Sequence, residues 1–193
     1  LKDKSTVIEI GELAEEEVTI ALNKLENGLG KKIDRVTAKM LRTVQMLDSF
    51  SLLFRRNKSK INFNNQIELY DALWDTVICD SSPRSDVEMR EHLMYKIVET
   101  IQIAGTLNPQ FTPDSSQKRA YEYLATNGLI RRDGSAVSFF HQSFYEYTLA
   151  RHYSETGGLF SADLKKEIQG LEIRSTVKAV LDFKRGHDTA KFV

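Results

Sequence analysis

Any chemistry in this chain has to come from a short set of side chains. They are Cys79, the histidines His92, His141, His152 and His187, the stretch Gly28-Leu29-Gly30-Lys31-Lys32, and the basic pairs Lys118-Arg119 and Arg131-Arg132. A phosphate-binding P-loop needs a glycine, four residues, then Gly-Lys-Ser/Thr, so that backbone N–H groups wrap the phosphates and a hydroxyl holds magnesium. Residues 28–32 lack the leading glycine and the hydroxyl, and Ile33 stands where a GxGxxG pattern would have its last glycine. The stretch reads as a helix C-cap. The histidines lie far apart without HExxH spacing, so no metal site is expected. Cys79 ends an apolar stripe and reads as a structural thiol, and with no GxSxG elbow no catalytic residue is assigned.

Lys118, Arg119, Arg131 and Arg132 could contact phosphate if the segment around them were a nucleic-acid reader. Tyr121, Glu122 and Tyr123 bring bulk and negative charge to the same helix, and wing-tip arginines are more often solvated charge. His141 follows Phe139 and Phe140 and precedes a helical pattern, which puts it at a helix N-terminus. Exposed N–H groups and the dipole there favour an anion, and a neutral imidazole could donate one hydrogen bond to a phosphate oxygen. The plainer reading is that His141 caps its own helix or packs on the hairpin. The residues alone favour that reading.

The elements that must position these groups follow from periodicity. Ser5 to Ile10 reads as a short strand closed by Gly11. Val18, Leu22 and Leu25 fall at helical spacing behind Glu15, Glu16 and Glu17, which suit the positive end of the helix dipole, and Gly28 and Gly30 end that helix. Asp34 caps a second helix whose Val36, Met40, Val44 and Leu47 share a face, followed by Phe50, Leu52, Leu53 and Phe54 and a basic loop from Arg55 to Lys60. A third helix starts near Asn65 with the stripe Ile67, Tyr70, Trp74 and Val77. Ser85 and Glu88 have capping-box spacing ahead of Leu93, Ile97 and Ile101. Asp114 or Ser115 opens a helix through Ala120, Tyr121 and Leu124, closed by Gly128. Leu129 and Ile130 begin a strand, Asp133-Gly134 is a two-residue turn, and Val137, Phe139 and Phe140 return. An aromatic helix runs from about His141 to Tyr153. Beyond Gly157-Gly158 come two more helices, with Leu164, Ile168 and Leu171, then Val177, Val180 and Leu181. Helix, loop, helix, hairpin, helix is the order of a winged helix-turn-helix, and the fold class is mainly α.

Composition narrows the function classes. The 193 residues balance 27 Lys and Arg against 27 Asp and Glu, which argues against a protein that mainly coats nucleic acid. A single cysteine excludes an internal disulfide framework and multi-cysteine zinc sites, and it suits a reducing compartment. No apolar run approaches the roughly 20 residues that span a bilayer, and there is no secretory leader pattern. Leu rather than Met at position 1 suggests a piece of a longer protein.

The text Val137-Ser138-Phe139-Phe140-His141-Gln142-Ser143-Phe144-Tyr145-Glu146-Tyr147, followed by Ala150, resembles the F-x-H-x-S-F-x-E-Y…A signature near the end of the winged-helix domain of NACHT-type STAND NTPases. That group includes NOD-like receptors and bacterial antiviral ATPases. Other segments are similar in order: Ile8 to Val18 to the step from the last core strand into the helical lid, and Leu41 to Phe54 to the lid segment with P-L-x-L-x-x-L. Ile67-Glu68-Leu69-Tyr70 resembles the x-E-L-Y helix, and Tyr123-Leu124 through Gly128-Leu129-Ile130 the L-x-x-x-G-L-I entry to the wing. Thr43 and Val44 stand where the family has the lid proline that packs on adenine. The resemblance implies residues 1–13 as the remnant of the NTPase core strand, 14–60 as helical lid, 61–156 as winged-helix domain and 157–193 as the start of a C-terminal helical region. It further implies a regulatory module of a cytoplasmic ATPase switch in signalling or antiviral defence. His141 would reach the β-phosphate of ADP, with ADP/ATP and magnesium bound by the parent and none by this chain alone. Its implied partners are its own upstream core, a downstream sensor and, on activation, further copies of itself, with no membrane, and nucleic acid is not the expected partner. The alternatives are a winged-helix DNA-binding transcriptional regulator and a plain helical interaction scaffold.

Overall fold

The computed structural model describes residues 11–80, 83–156, 178, 180–185 and 187. The strand expected at Ser5 to Ile10 and the helix carrying Leu164, Ile168 and Leu171 lie outside them, as does Val177. The fold is mainly helical with a single two-stranded antiparallel hairpin among the described residues. The chain separates into two compact units between Gln66 and Ile67.

In the first unit, α1 (Glu15–Leu25) carries its three glutamates in the first turn and buries Val18 and Leu22. Glu17 Oε2 accepts from the Ala14 N–H at 2.8 Å and so satisfies one of the donors left open at a helix start. Gly28, at φ 81°, takes the left-handed turn that a side chain would resist, and a short 3₁₀ turn, Leu29–Lys31, buries Leu29 beneath α1. Asp34 caps α2 (Arg35–Met40) as expected, its carboxylate accepting from Thr37 N at 2.7 Å.

The second helix is not continuous: it breaks after Met40 and resumes as α3 (Val44–Phe54). Leu13 N donates to Arg42 O at 2.8 Å and Arg42 Nε to Leu13 O at 2.9 Å, so the break itself is hydrogen-bonded to the chain ahead of α1. On either side of the break Val36 is 53% and Val44 43% exposed. The side facing inward is instead Thr37 and Leu41, then Met46, Phe50, Leu53 and Phe54. Buried Thr37 exchanges two hydrogen bonds with the Phe63 backbone, at 2.7 and 3.1 Å, and Phe50 packs on the rings of Phe54 and Phe63.

The second unit is built on α4 (Gln66–Val77), α5 (Arg84–Ala104), α6 (Lys118–Thr126), the hairpin β1 (Ile130–Asp133) and β2 (Ala136–Phe139), and α7 (Gln142–Thr156). Leu69, Tyr70, Leu73, Trp74 and Val77 of α4 are fully buried, whereas Ile67 is only half-buried. Helix α5 starts two residues earlier than a Ser85 cap would place it. Pro83 takes the cap position with extended backbone (φ −50°, ψ 143°), and its fixed φ suits a helix entry. Glu88 pairs with Arg84 at 2.7 Å rather than closing a capping box. The turn before α6 is organised by Asp114, whose Oδ1 accepts from Ser116 N and Gln117 N at 3.0 and 3.1 Å. Gly128, at φ 77°, ends α6 with Gly128 N donating to Ala125 O and Leu129 N to Leu124 O, the paired bonds of a Schellman cap.

The hairpin pairs Asp133 with Ala136, so its loop is Gly134-Ser135, one residue later than the expected Asp133-Gly134. The reason is backbone freedom: Gly134, at φ 60°, fills the first loop position and Asp133 is left to close the ladder. A third short segment joins β2. Val137 N donates to Pro109 O at 3.0 Å and Phe111 N to Ser135 O at 2.9 Å, so part of the proline loop acts as an edge. Helical residues 180–185 bury Val180 and Phe183, the latter against Tyr147, whereas Leu181 is exposed rather than on the apolar face.

Candidate functional site

The site begins where β2 hands the chain to α7. His141 immediately precedes Gln142, the first helical residue, and its carbonyl accepts from Phe144 N and Tyr145 N at 3.2 Å each. It therefore occupies the N-cap position that its sequence context predicts. Its ring is half-buried, 4.6 Å from that of Phe140.

The residues around it lock the helix end in place. Ser143 Oγ and Tyr70 OH share a hydrogen bond of 2.7 Å, and Phe144 is fully buried among Tyr70, Phe140 and Tyr147. Tyr147 OH donates to Asp71 Oδ1 at 2.7 Å, and burial, with Asp71 beside it, pushes that phenol well above its ordinary range. Ala150 has no exposed surface. Ser143, Phe144, Tyr147 and Ala150 thus face the interior as anchors, while His141 lines a cleft of about 240 Å³.

The cleft is walled by Ile101 and Leu107 from α5 and its following loop, Asn108, the β2 residues Ser138 and Phe139, and Phe140, Gln142 and Tyr145 around the start of α7. These walls offer amide, hydroxyl and imidazole groups and no lysine or arginine. Such a lining can hydrogen-bond an anion at a helix N-terminus but supplies no fixed charge to neutralise it.

The other candidates fall elsewhere. Residues 28–32 hold the 3₁₀ turn Leu29–Lys31 and its two caps against α1, where Gly30 N donates to Asn23 Oδ1 at 3.2 Å and a Cβ on Gly30 would meet Thr19 Cγ2 at 3.0 Å, so this glycine serves close packing. Arg119 pairs with Asp86 at 2.9 Å and Arg132 with Glu122 at 2.6 Å, which offsets half the positive charge of the two basic pairs; Lys118 and Arg131 are exposed. Cys79 is half-buried with Sγ 3.7 Å from Glu91 Oε1, and burial, reinforced by Glu91, pushes its thiol up to about 11. His92 is exposed, His152 stacks on Tyr95 and lies 3.1 Å from Glu99, and His187 lies 3.0 Å from Asp71. Among the described residues no group of three potential metal ligands converges.

Two polar clusters, one buried and one partly exposed, were not anticipated. Arg90, 4% exposed, donates to Asp80 Oδ1 at 2.7 Å and Ile78 O at 3.2 Å, with its guanidinium 3.6 Å from the Tyr123 ring centroid. Tyr123 OH lies 2.8 Å from Asp80 Oδ2 and 3.0 Å from Val77 O, so α4, α5 and α6 meet on one carboxylate. Arg151 reaches Glu155 at 3.0 Å and Tyr147 OH at 3.3 Å, over the face of Trp74 at 4.7 Å. The available signal was Arg90 standing in the stripe 90, 94, 97, 101, a charge at a core position. Compared with known proteins, the chain matches no described family and no curated sequence.

Proposed function

We propose that the chain is the lid and winged-helix regulatory module of a NACHT-like STAND ATPase, whose His141 senses the diphosphate of a nucleotide held by the parent's catalytic core. The observation that supports this most is the position of His141: a half-buried imidazole at the N-cap of α7, lining a cleft whose walls carry hydrogen-bonding groups but no lysine or arginine. A cleft of that kind suits an anion already neutralised elsewhere, as a nucleotide with magnesium in the core would be. In this reading the module lives in the cytoplasm and hydrolyses nothing by itself. No helix among the described residues is long and apolar enough to cross a membrane.

The switch works by differential contact. ADP touches His141 and favours the closed arrangement; ATP lacks that contact and releases the winged helix for self-assembly. The two arrangements need differ by only a few kcal/mol for nucleotide exchange to move the population. The test uses the intact parent with His141→Ala. ADP retained through purification, quantified by chromatography of the denatured protein, falls several-fold and spontaneous oligomers increase. Wild-type ADP content in that variant removes the proposal.

A further inference from the structure

Eight asparagines stand in the chain, and two of them precede glycine: Asn27-Gly28 and Asn127-Gly128. Such a pair can react with itself. The backbone nitrogen of the glycine attacks the side-chain carbonyl carbon of the asparagine, ammonia leaves, and a succinimide ring closes. Water then opens the ring at either carbonyl, giving aspartate or isoaspartate. One water is consumed and one ammonia released, and nothing is oxidised or reduced. Glycine favours the step because no Cβ obstructs the approach to its nitrogen. Asn108 is excluded by Pro109, whose nitrogen has no proton to give up. Asn23, Asn57 and Asn62 precede larger residues, and each has its Oδ1 held by a backbone N–H.

The fold treats the two glycine pairs differently. Asn127 is half-buried at the end of α6, where its Nδ2 donates to Tyr123 O at 2.7 Å and Gly128 N donates to Ala125 O at 3.0 Å. Both the electrophile and the nucleophile of that pair are therefore tied into the helix cap. Asn27 is exposed, in the turn between α1 and the 3₁₀ residues Leu29–Lys31. Leu29 N donates to Glu26 O at 3.0 Å, and Gly28, at φ 81° and ψ 1°, fills the third position of a type II turn. Among the described residues, neither the Asn27 amide nor Gly28 N makes a hydrogen bond. Reaction asks the Asn27–Gly28 peptide to turn until Gly28 N meets Cγ, and only the bond that closes the turn stands in the way.

We infer that Asn27 is a site of spontaneous deamidation, a slow one-way modification, and that the fold protects Asn127 from the same reaction. The product carries a carboxylate at position 27 next to Glu26, which already holds Lys32 at 3.1 Å and Lys58 at 2.8 Å. Its isoaspartate form also adds a methylene to the main chain of the turn, just ahead of buried Leu29. The inference does not depend on the nucleotide role of His141.

The test holds the full chain for weeks in mildly alkaline buffer, with samples digested and their peptides separated and weighed by mass spectrometry. Peptides covering Asn27 gain the mass of an amide exchanged for an acid, as separate aspartate and isoaspartate forms. They do so on the order of ten-fold or more faster than peptides covering Asn127, where ordinary hydrogen bonds must break first. In urea strong enough to unfold the chain the two sites react at similar rates. Under those conditions, where folding plays no part, Gly28→Ala slows site 27 and leaves site 127 unchanged. Equal rates at the two sites in the native chain overturn the inference, as does an Asn27 that reacts only in urea. A difference that persists undiminished in urea traces the protection to local sequence and overturns it as well.

Discussion

At Cys79 the surroundings set reactivity. With the thiol pushed up to about 11 by burial and Glu91, the thiolate fraction at pH 8 is on the order of 10⁻³. Iodoacetamide labelling of the native chain is expected to be slow at pH 8 and to accelerate towards pH 11. Rapid labelling at neutral pH would contradict this. The native state holds that proton more tightly than the unfolded chain, so stability falls as pH rises from about 9 to about 11. His141 is the opposite case of legibility. Its place at the start of α7 was readable because a glycine turn, a returning apolar strand and an aromatic helical stripe leave the chain no other register. The cleft it lines was not readable, because three of its lining residues, Ile101, Leu107 and Asn108, come from more than thirty residues upstream.

Among the elements, α4, α5 and α6 are joined by a polar contact as well as by their apolar stripes. Arg90→Met leaves Asp80 and the Ile78 carbonyl without their cation and is expected to cost about 3 kcal/mol, the lower end of the range for a broken buried pair because Asp80 keeps some exposure. Tyr123→Phe removes only the hydroxyl and is expected to cost about 1 kcal/mol. Urea denaturation of both variants checks the order, and an Arg90→Met chain as stable as wild type would mean the pair contributes nothing. The elements were largely visible in sequence: α1, α4 to α7 and the hairpin sit close to their periodic patterns. The α2–α3 break was not, since nothing in Leu41-Arg42-Thr43 forbids a helix. Leu13, almost thirty residues earlier, supplies the hydrogen bonds that make the break favourable.

For the whole molecule, the division near residue 66 gives each unit its own aromatic core, Phe50, Phe54 and Phe63 in the first and Tyr70, Trp74, Phe144 and Tyr147 in the second. Leu53→Ala, which empties a fully buried site at a cost of about 2–5 kcal/mol, is expected to speed amide hydrogen exchange in residues 11–66 and leave α5 within a factor of a few. Equal acceleration in both units, read by mass spectrometry, would show a single cooperative core. The sequence by itself determined the mainly helical class, the β1–β2 hairpin and the helix end carrying His141, because hydrophobic period, glycine turns and caps act over a few residues. Only the tertiary structure decided which faces turn inward and which charges are spent on partners, as Lys32 and Lys58 are on Glu26. Those outcomes depend on neighbours far apart in the chain, whose burial and pairing no local pattern encodes.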